Sequence, residues 1–146
     1  MTINFIAFGF FAYFVGLLLA GGIALVENQW KKSAQLFVLV NILGFAIGLS
    51  YLFNFAPRQI VLGSWEWLFH FSPTINLLSG IFFTAIAGVS ALVGVYGIRY
   101  LELYKETYNP SLTQFLTVFF VLGMQGVLLA NNSFSFLFFW EVMSIA

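Results

Sequence analysis

The sequence predicts an all-α fold, a polytopic transmembrane helix bundle of four full spans and a truncated fifth, with a short outer β-hairpin between spans two and three. Of its 146 residues, 62% are hydrophobic and 7% are charged. A soluble globular domain carries about a quarter charged residues and just under half apolar ones. The composition therefore indicates a chain whose main solvent is a lipid bilayer.

The spans are uncharged runs that reach the ~20 residues needed to cross a hydrocarbon core. We predict them at residues 3–26, 34–56, 73–98 and 111–130, with an incomplete fifth at 133–146. The fifth run is too short to span, so the sequence is expected to stop inside a helix. The N-terminus lacks the basic start and the cleavage site of a secretory signal, so we expect the first run to be retained as a span. All 146 residues then form a single transmembrane region.

The segment between spans two and three has the pattern of a hairpin. Gln59–Leu62 and Trp65–Phe71 flank Gly63-Ser64, and glycine at the first position favours a type II′ turn. The second stretch alternates aromatic and other residues, as a half-buried strand does. Its tryptophans also suit an aromatic belt at a membrane surface. An irregular interfacial loop is the alternative.

The distribution of Lys and Arg predicts the orientation. Lys31, Lys32, Arg99 and Lys105 fall in the first and third loops, whereas Arg58 is the one basic residue of the second and fourth. The positive-inside rule places the first and third loops in the cytoplasm. We therefore expect a multi-pass protein with its N-terminus and hairpin outside.

The composition also excludes several functions. Five Lys and Arg residues cannot form the basic face that nucleic acid requires. With no Cys and one His, the chain has no ligand set for an iron–sulfur cluster or zinc and no thiol nucleophile. We therefore predict no metal, no cofactor and no catalytic residue, and any redox chemistry is expected in another subunit.

Polar and small residues inside the spans are expected to hold the helices together. We interpret Asn41, Asn54 and Gln125 as interhelical hydrogen-bond partners, and His70 as an interfacial residue instead of a proton relay. Small residues at four-residue steps allow close packing of helices. These steps include Gly16 and Ala20, Gly44 and Gly48, Ala87 and Ala91, and Ser90 and Gly94.

Glu141 is the candidate site residue. It follows the apolar run Phe134–Trp140 and lies eight residues into the fifth helix, which is about 12 Å or close to mid-membrane. A carboxylate there costs about 2.5–3.5 kcal/mol on insertion scales, and such groups usually face a bundle interior, pair with a base and mark a proton pathway. The alternative is a glutamate near a helix end that snorkels to the headgroups.

The residues around Glu141 resemble a known family. Leu128–Asn132, followed after seven residues by Trp140-Glu141, resembles the fourth-to-fifth helix motif of antiporter-like membrane subunits. That family includes subunits of respiratory complex I (NADH-quinone oxidoreductase), Mrp cation/proton antiporters and membrane-bound hydrogenases. The continuation Glu141–Ser144 most closely resembles the hydrogenase-4 and formate hydrogenlyase membrane subunits.

Two further stretches carry the same resemblance, which covers roughly residues 60–146. Tyr96–Leu101 is similar to the pattern that closes the family's third helix. Leu77–Ser79 is similar to the Asp-x-Leu-Ser pattern that opens this helix, with Asn76 at a position where an acidic residue is common. Because Asn76 is not acidic, the resemblance does not support a functional role for this position.

The resemblance implies a longer subunit, of which this chain is about the N-terminal third. It implies that Glu141 belongs to the proton-translocating machinery and pairs with a lysine on a later helix. No such lysine occurs here, so the chain alone is not expected to pump. The implied partners are other membrane-arm and peripheral subunits together with membrane lipid, in the cell (inner or plasma) membrane.

The leading functional hypothesis is a membrane subunit of a hydrogenase-4-like or complex I-like oxidoreductase, which couples electron transfer to proton translocation and has no redox site of its own. An Mrp-type cation/proton antiporter subunit shares the helices but is driven by an ion gradient. A membrane scaffold subunit that moves no protons is the structural alternative.

Overall fold

The computed structural model describes residues 3–26, 29–55, 60–61 and 73–146. The elements follow the order α1 (Ile3–Ala24), α2 (Trp30–Phe55), β1 (Ile60–Val61), β2 (Thr74–Ile75), α3 (Leu77–Leu103), α4 (Pro110–Leu129) and α5 (Ser133–Ile145). The helices α2 and α3 pack together, α1 packs against α2 and α4, and α5 packs against α4.

Four helices are long and apolar enough to cross a membrane. Their apolar stretches are Phe5–Ala24, Trp30–Phe53, Leu77–Leu103 and Pro110–Leu129. Helix α5 is apolar as well, but its 13 residues make it shorter. The predicted helical bundle with four long apolar helices is confirmed, and these helices are those of a multi-pass membrane protein in contact with lipid.

Helices α2 and α3 extend beyond the predicted spans at one end of the bundle. Helix α2 begins at Trp30 instead of residue 34, and α3 continues to Leu103 instead of ending at residue 98. Each helix thus continues about one turn past its uncharged run. At these ends Lys31 of α2 forms an ion pair with Glu102 of α3, and both side chains are half exposed.

The predicted hairpin around Gly63-Ser64 is not supported. The strand β1 pairs antiparallel with β2, with Ile60 opposite Ile75 and Val61 opposite Thr74. A two-residue turn at Gly63-Ser64 would instead pair β1 with the residues that directly follow the turn.

Burial of β2 explains the observed register. Ile75 is fully buried in the core, and the next residue, Asn76, caps α3. The core therefore fixes β2, and β1 pairs with the strand that is already anchored there. Residues 62–72, which include the predicted second strand and His70, lie outside the described residues.

Small residues allow α2 and α3 to approach each other closely. A methyl group added to Gly48 would lie 3.2 Å from the Cα of Thr84, and one added to Gly94 would lie 2.7 Å from the side chain of Val38. Ala87 of α3 is fully buried in the same interface. The expected role of the small residues in close packing is confirmed for this pair of helices.

A buried hydrogen-bonded cluster joins the four long helices, and we call it the polar hub. The hydroxyl of Tyr13 in α1 donates to Asn41 Oδ1 in α2 at 3.1 Å. Gln125 Nε2 in α4 donates to the Tyr13 hydroxyl and to the carbonyl oxygen of Phe83 in α3, each at 3.3 Å. All four residues are at most 2% exposed. Asn41 and Gln125 are thus confirmed as interhelical partners, whereas the side chain of Asn54 lies outside the described part of the structure.

The hub predicts a specific loss of stability for Tyr13→Phe. The change removes the donor to Asn41 Oδ1 and one acceptor of the Gln125 amide without altering the ring. We expect the free energy of unfolding to fall by about 1 kcal/mol, the usual order for an interhelical hydrogen bond in a membrane protein. Unfolding of the purified protein in detergent measures the difference. Tyr96→Phe removes the same atom at a position that is 68% exposed, and should leave stability unchanged. Equal stability of both variants and the parent would contradict the role of the hub.

Candidate functional site

The turn before α5 sets the position of Glu141. Asn132 caps the helix, because its side-chain oxygen accepts a hydrogen bond from the Ser135 amide at 2.7 Å. Helix α5 begins at Ser133, so Glu141 lies eight residues along it, or about 12 Å from its start. The predicted start of the helix and the predicted position of Glu141 within it agree with the structure.

Two glycines of α4 determine which face of α5 points inward. A methyl group on Gly123 would lie 2.9 Å from the backbone nitrogen of Met143, and one on Gly126 would overlap the ring of Phe139. The backbones of α4 and α5 are therefore in close contact at these positions. Phe139 and Met143, four residues apart, lie on the same side of α5 and face α4.

Glu141 consequently points away from the bundle. It lies two residues from Phe139 and two from Met143, which turns it by about 200° from the α4 contact. Its side chain is exposed, and its neighbours on that face, Leu137 and Ile145, are also exposed. The described residues thus present one carboxylate on an apolar outer face, which we call the Glu141 face.

Among residues 3–26, 29–55, 60–61 and 73–146, Lys31 and Glu102 form the one ion pair. Glu141 therefore has no basic partner within this part of the chain. The pairing with a base and the place in a bundle interior, both expected for a mid-membrane carboxylate, stay predictions, since they require protein other than these helices.

A groove near Glu141 offers no acid–base chemistry. It has a volume of about 450 Å³ and runs between α1, α4 and α5, where its lining residues include Phe14, Leu122, Phe138 and Val142. Glu141 is not among the lining residues, and none of those residues is titratable. The described residues also contain no cluster of three or more His, Cys, Asp or Glu side chains suited to a metal ion.

Asn76 has a clear structural role in place of an acidic residue. Its side-chain oxygen accepts from the Ser79 amide at 3.0 Å, and its own amide donates to Ser79 Oγ at 2.9 Å. This reciprocal pair is a capping box, and asparagine caps a helix as well as aspartate does. The departure from the acidic pattern at this position is therefore compatible with an intact start of α3.

Sequence reasoning missed Tyr13, the residue that links Asn41 to Gln125. It lies in an uncharged apolar run, where a tyrosine is easily counted as one more aromatic residue. A signal was present, because a buried tyrosine hydroxyl usually has a hydrogen-bond partner.

No protein-family model matches the chain, and no curated protein matches it in sequence.

Proposed function

We propose that the chain belongs to a membrane subunit of a respiratory or hydrogenase-type oxidoreductase complex that couples electron transfer to proton translocation, with Glu141 as a proton-carrying residue. The observation that carries the proposal is a carboxylate about 12 Å along an apolar helix, on a face that the described bundle leaves open. The resemblance of the surrounding motif to antiporter-like subunits supports it.

The outer position of Glu141 fits a carboxylate that is completed by another helix. Carboxylates within membranes almost always face protein or water and pair with a base, because the hydrocarbon leaves the charge unsolvated. In the assembled complex, a further helix covers the Glu141 face and presents a basic side chain to Glu141. Desolvation favours the protonated carboxyl and the nearby cation favours the carboxylate, so movement of the base relative to Glu141 loads and releases a proton.

Orientation in the membrane is a separate part of the proposal. The cytoplasmic end of the bundle is the end that carries Lys31, Lys32, Arg99 and Lys105, and the N-terminus lies outside the cell membrane.

Labelling of single cysteines tests this orientation. Thr107→Cys and Asn131→Cys place thiols at exposed positions before and after α4, in a chain that has no cysteine of its own. In intact cells, an impermeant maleimide should label position 131 and leave position 107 unlabelled until the membrane is opened. The reverse pattern, or labelling of both positions from outside, would refute the orientation.

Substitution of Glu141→Gln tests the functional role. Glutamine keeps the size and the hydrogen-bonding capacity of the side chain but cannot titrate, so the complex should assemble while coupled proton movement is abolished or strongly reduced. Proton uptake by vesicles is measured during electron transfer, together with the amount of assembled complex.

Glu106→Gln is the matched control, since it makes the same chemical change at an exposed position in the turn after α3. It should leave proton uptake normal. Normal uptake by an assembled Glu141→Gln complex would contradict the proposal and favour a scaffold subunit. Uptake driven by an ion gradient without electron transfer would favour a cation/proton antiporter.

A further inference from the structure

Four tyrosines lie in a row along the outside of α3 and the turn that follows it, with the first pair of rings stacked and the next two pairs tilted. The ring centroids of Tyr96 and Tyr100 are 6.0 Å apart, those of Tyr100 and Tyr104 are 4.7 Å apart, and those of Tyr104 and Tyr108 are 6.5 Å apart. All four side chains are exposed, Tyr100 least at 38%. We call this row the tyrosine ladder.

The ladder marks a change in the surface of α3. Before it, the large exposed residues of the helix are aliphatic except for Phe82, and Val89 and Leu92 are 60% and 73% exposed. From Tyr96 onward the exposed surface carries tyrosines, and charged residues follow within one turn. Aromatic residues collect where hydrocarbon meets the headgroups. The level of Tyr96 and Tyr100 is therefore the membrane boundary at this end of the bundle.

The charged residue of α3 that lies at this boundary is a cation. Arg99 precedes Glu102 by three residues, so its Cα lies about 4.5 Å closer to the membrane. In helical projection Arg99 lies between Tyr96 on one side and Glu102 on the other. Its side chain is exposed, and no ion pair among the described residues involves it.

Helix α2 carries two lysines at the same end of the bundle. Lys31 pairs with Glu102 and so fixes the level of α2 against α3, and Lys32 lies one residue further toward the membrane. The carboxylate of Glu102 is engaged by Lys31, and Glu106 lies further out along the chain. On both helices, the charged residue nearest the hydrocarbon is therefore basic.

We propose that Arg99, with Tyr96 and Tyr100, forms a binding site for the headgroup of an anionic phospholipid in the leaflet at this end of the bundle, where Lys32 of α2 adds positive charge at a similar depth. A guanidinium binds phosphate through paired hydrogen bonds, and the tyrosine rings lie at the depth of the glycerol and headgroup region. An anionic lipid is favoured over a zwitterionic one because it brings no ammonium group to repel the cations. This inference is independent of the role of Glu141.

Lipid retention by the purified protein tests the site. The protein is equilibrated in detergent with equal amounts of phosphatidylglycerol and phosphatidylcholine, and native mass spectrometry gives the ratio of the two lipids that stay bound. Arg99→Gln should lower the ratio of phosphatidylglycerol to phosphatidylcholine about fivefold, which corresponds to about 1 kcal/mol for one basic residue at an anionic surface.

Lys105→Gln is the matched control, because it removes one positive charge from an exposed position beyond the end of α3. It should change the ratio much less. Lys32→Gln removes a positive charge at a similar membrane depth on α2. It should lower the ratio even if the Arg99→Gln variant does not fold. An unchanged ratio in Arg99→Gln and Lys32→Gln would overturn the proposal. An equal effect of Lys105→Gln would overturn it too, since that indicates a diffuse charge effect without a site.

Discussion

The two hydrogen bonds of the Gln125 amide hold the described bundle in register. They join α4 to the hydroxyl of Tyr13 in α1 and to the carbonyl of Phe83 in α3, and the same hydroxyl reaches Asn41 in α2. In a bilayer, a polar group without a protein partner has no water to replace it. A shift of any one helix along its axis would therefore break at least one of these bonds. Close packing follows from this register, as where Gly44 of α2 leaves room for the ring of Tyr13.

The same alignment of the helices determines which face of α5 stays uncovered. One side of α4 carries Gln125 and faces the hub, whereas Gly123 and Gly126 on an adjacent side hold α5. The contact at these glycines turns Phe139 and Met143 inward, and Glu141 must then face outward. The exposure of the carboxylate is thus a consequence of how α5 docks. The proposed function has protein cover this face, because an ionisable group exposed to hydrocarbon carries a cost that membrane proteins rarely bear.

Much of this architecture could be predicted from composition, because long uncharged runs leave few alternatives to a spanning helix. The position of Glu141 along α5 followed from the start of the helix after Asn132, which is a local capping signal. The hairpin around Gly63-Ser64 is not supported, because its turn pattern is local, while the observed pairing of β1 with β2 places Ile75 in a core built by distant residues. Tyr13 was missed, and the outward direction of Glu141 could not be predicted, for the same reason: both depend on contacts between helices.

The central claim is that protein covers the Glu141 face in the assembled complex. Leu137 lies one turn before Glu141 on this face and is 58% exposed, whereas Leu92 is 73% exposed on the aliphatic outer face of α3. Because the chain has no cysteine, a spin label can be attached to Leu137→Cys or Leu92→Cys alone. The measurement is the collision rate of each label with oxygen, which concentrates in hydrocarbon. We predict a low rate and an immobilised label at 137, and a high rate at 92. Equally high rates at both positions would show that lipid covers Glu141 and would contradict the account.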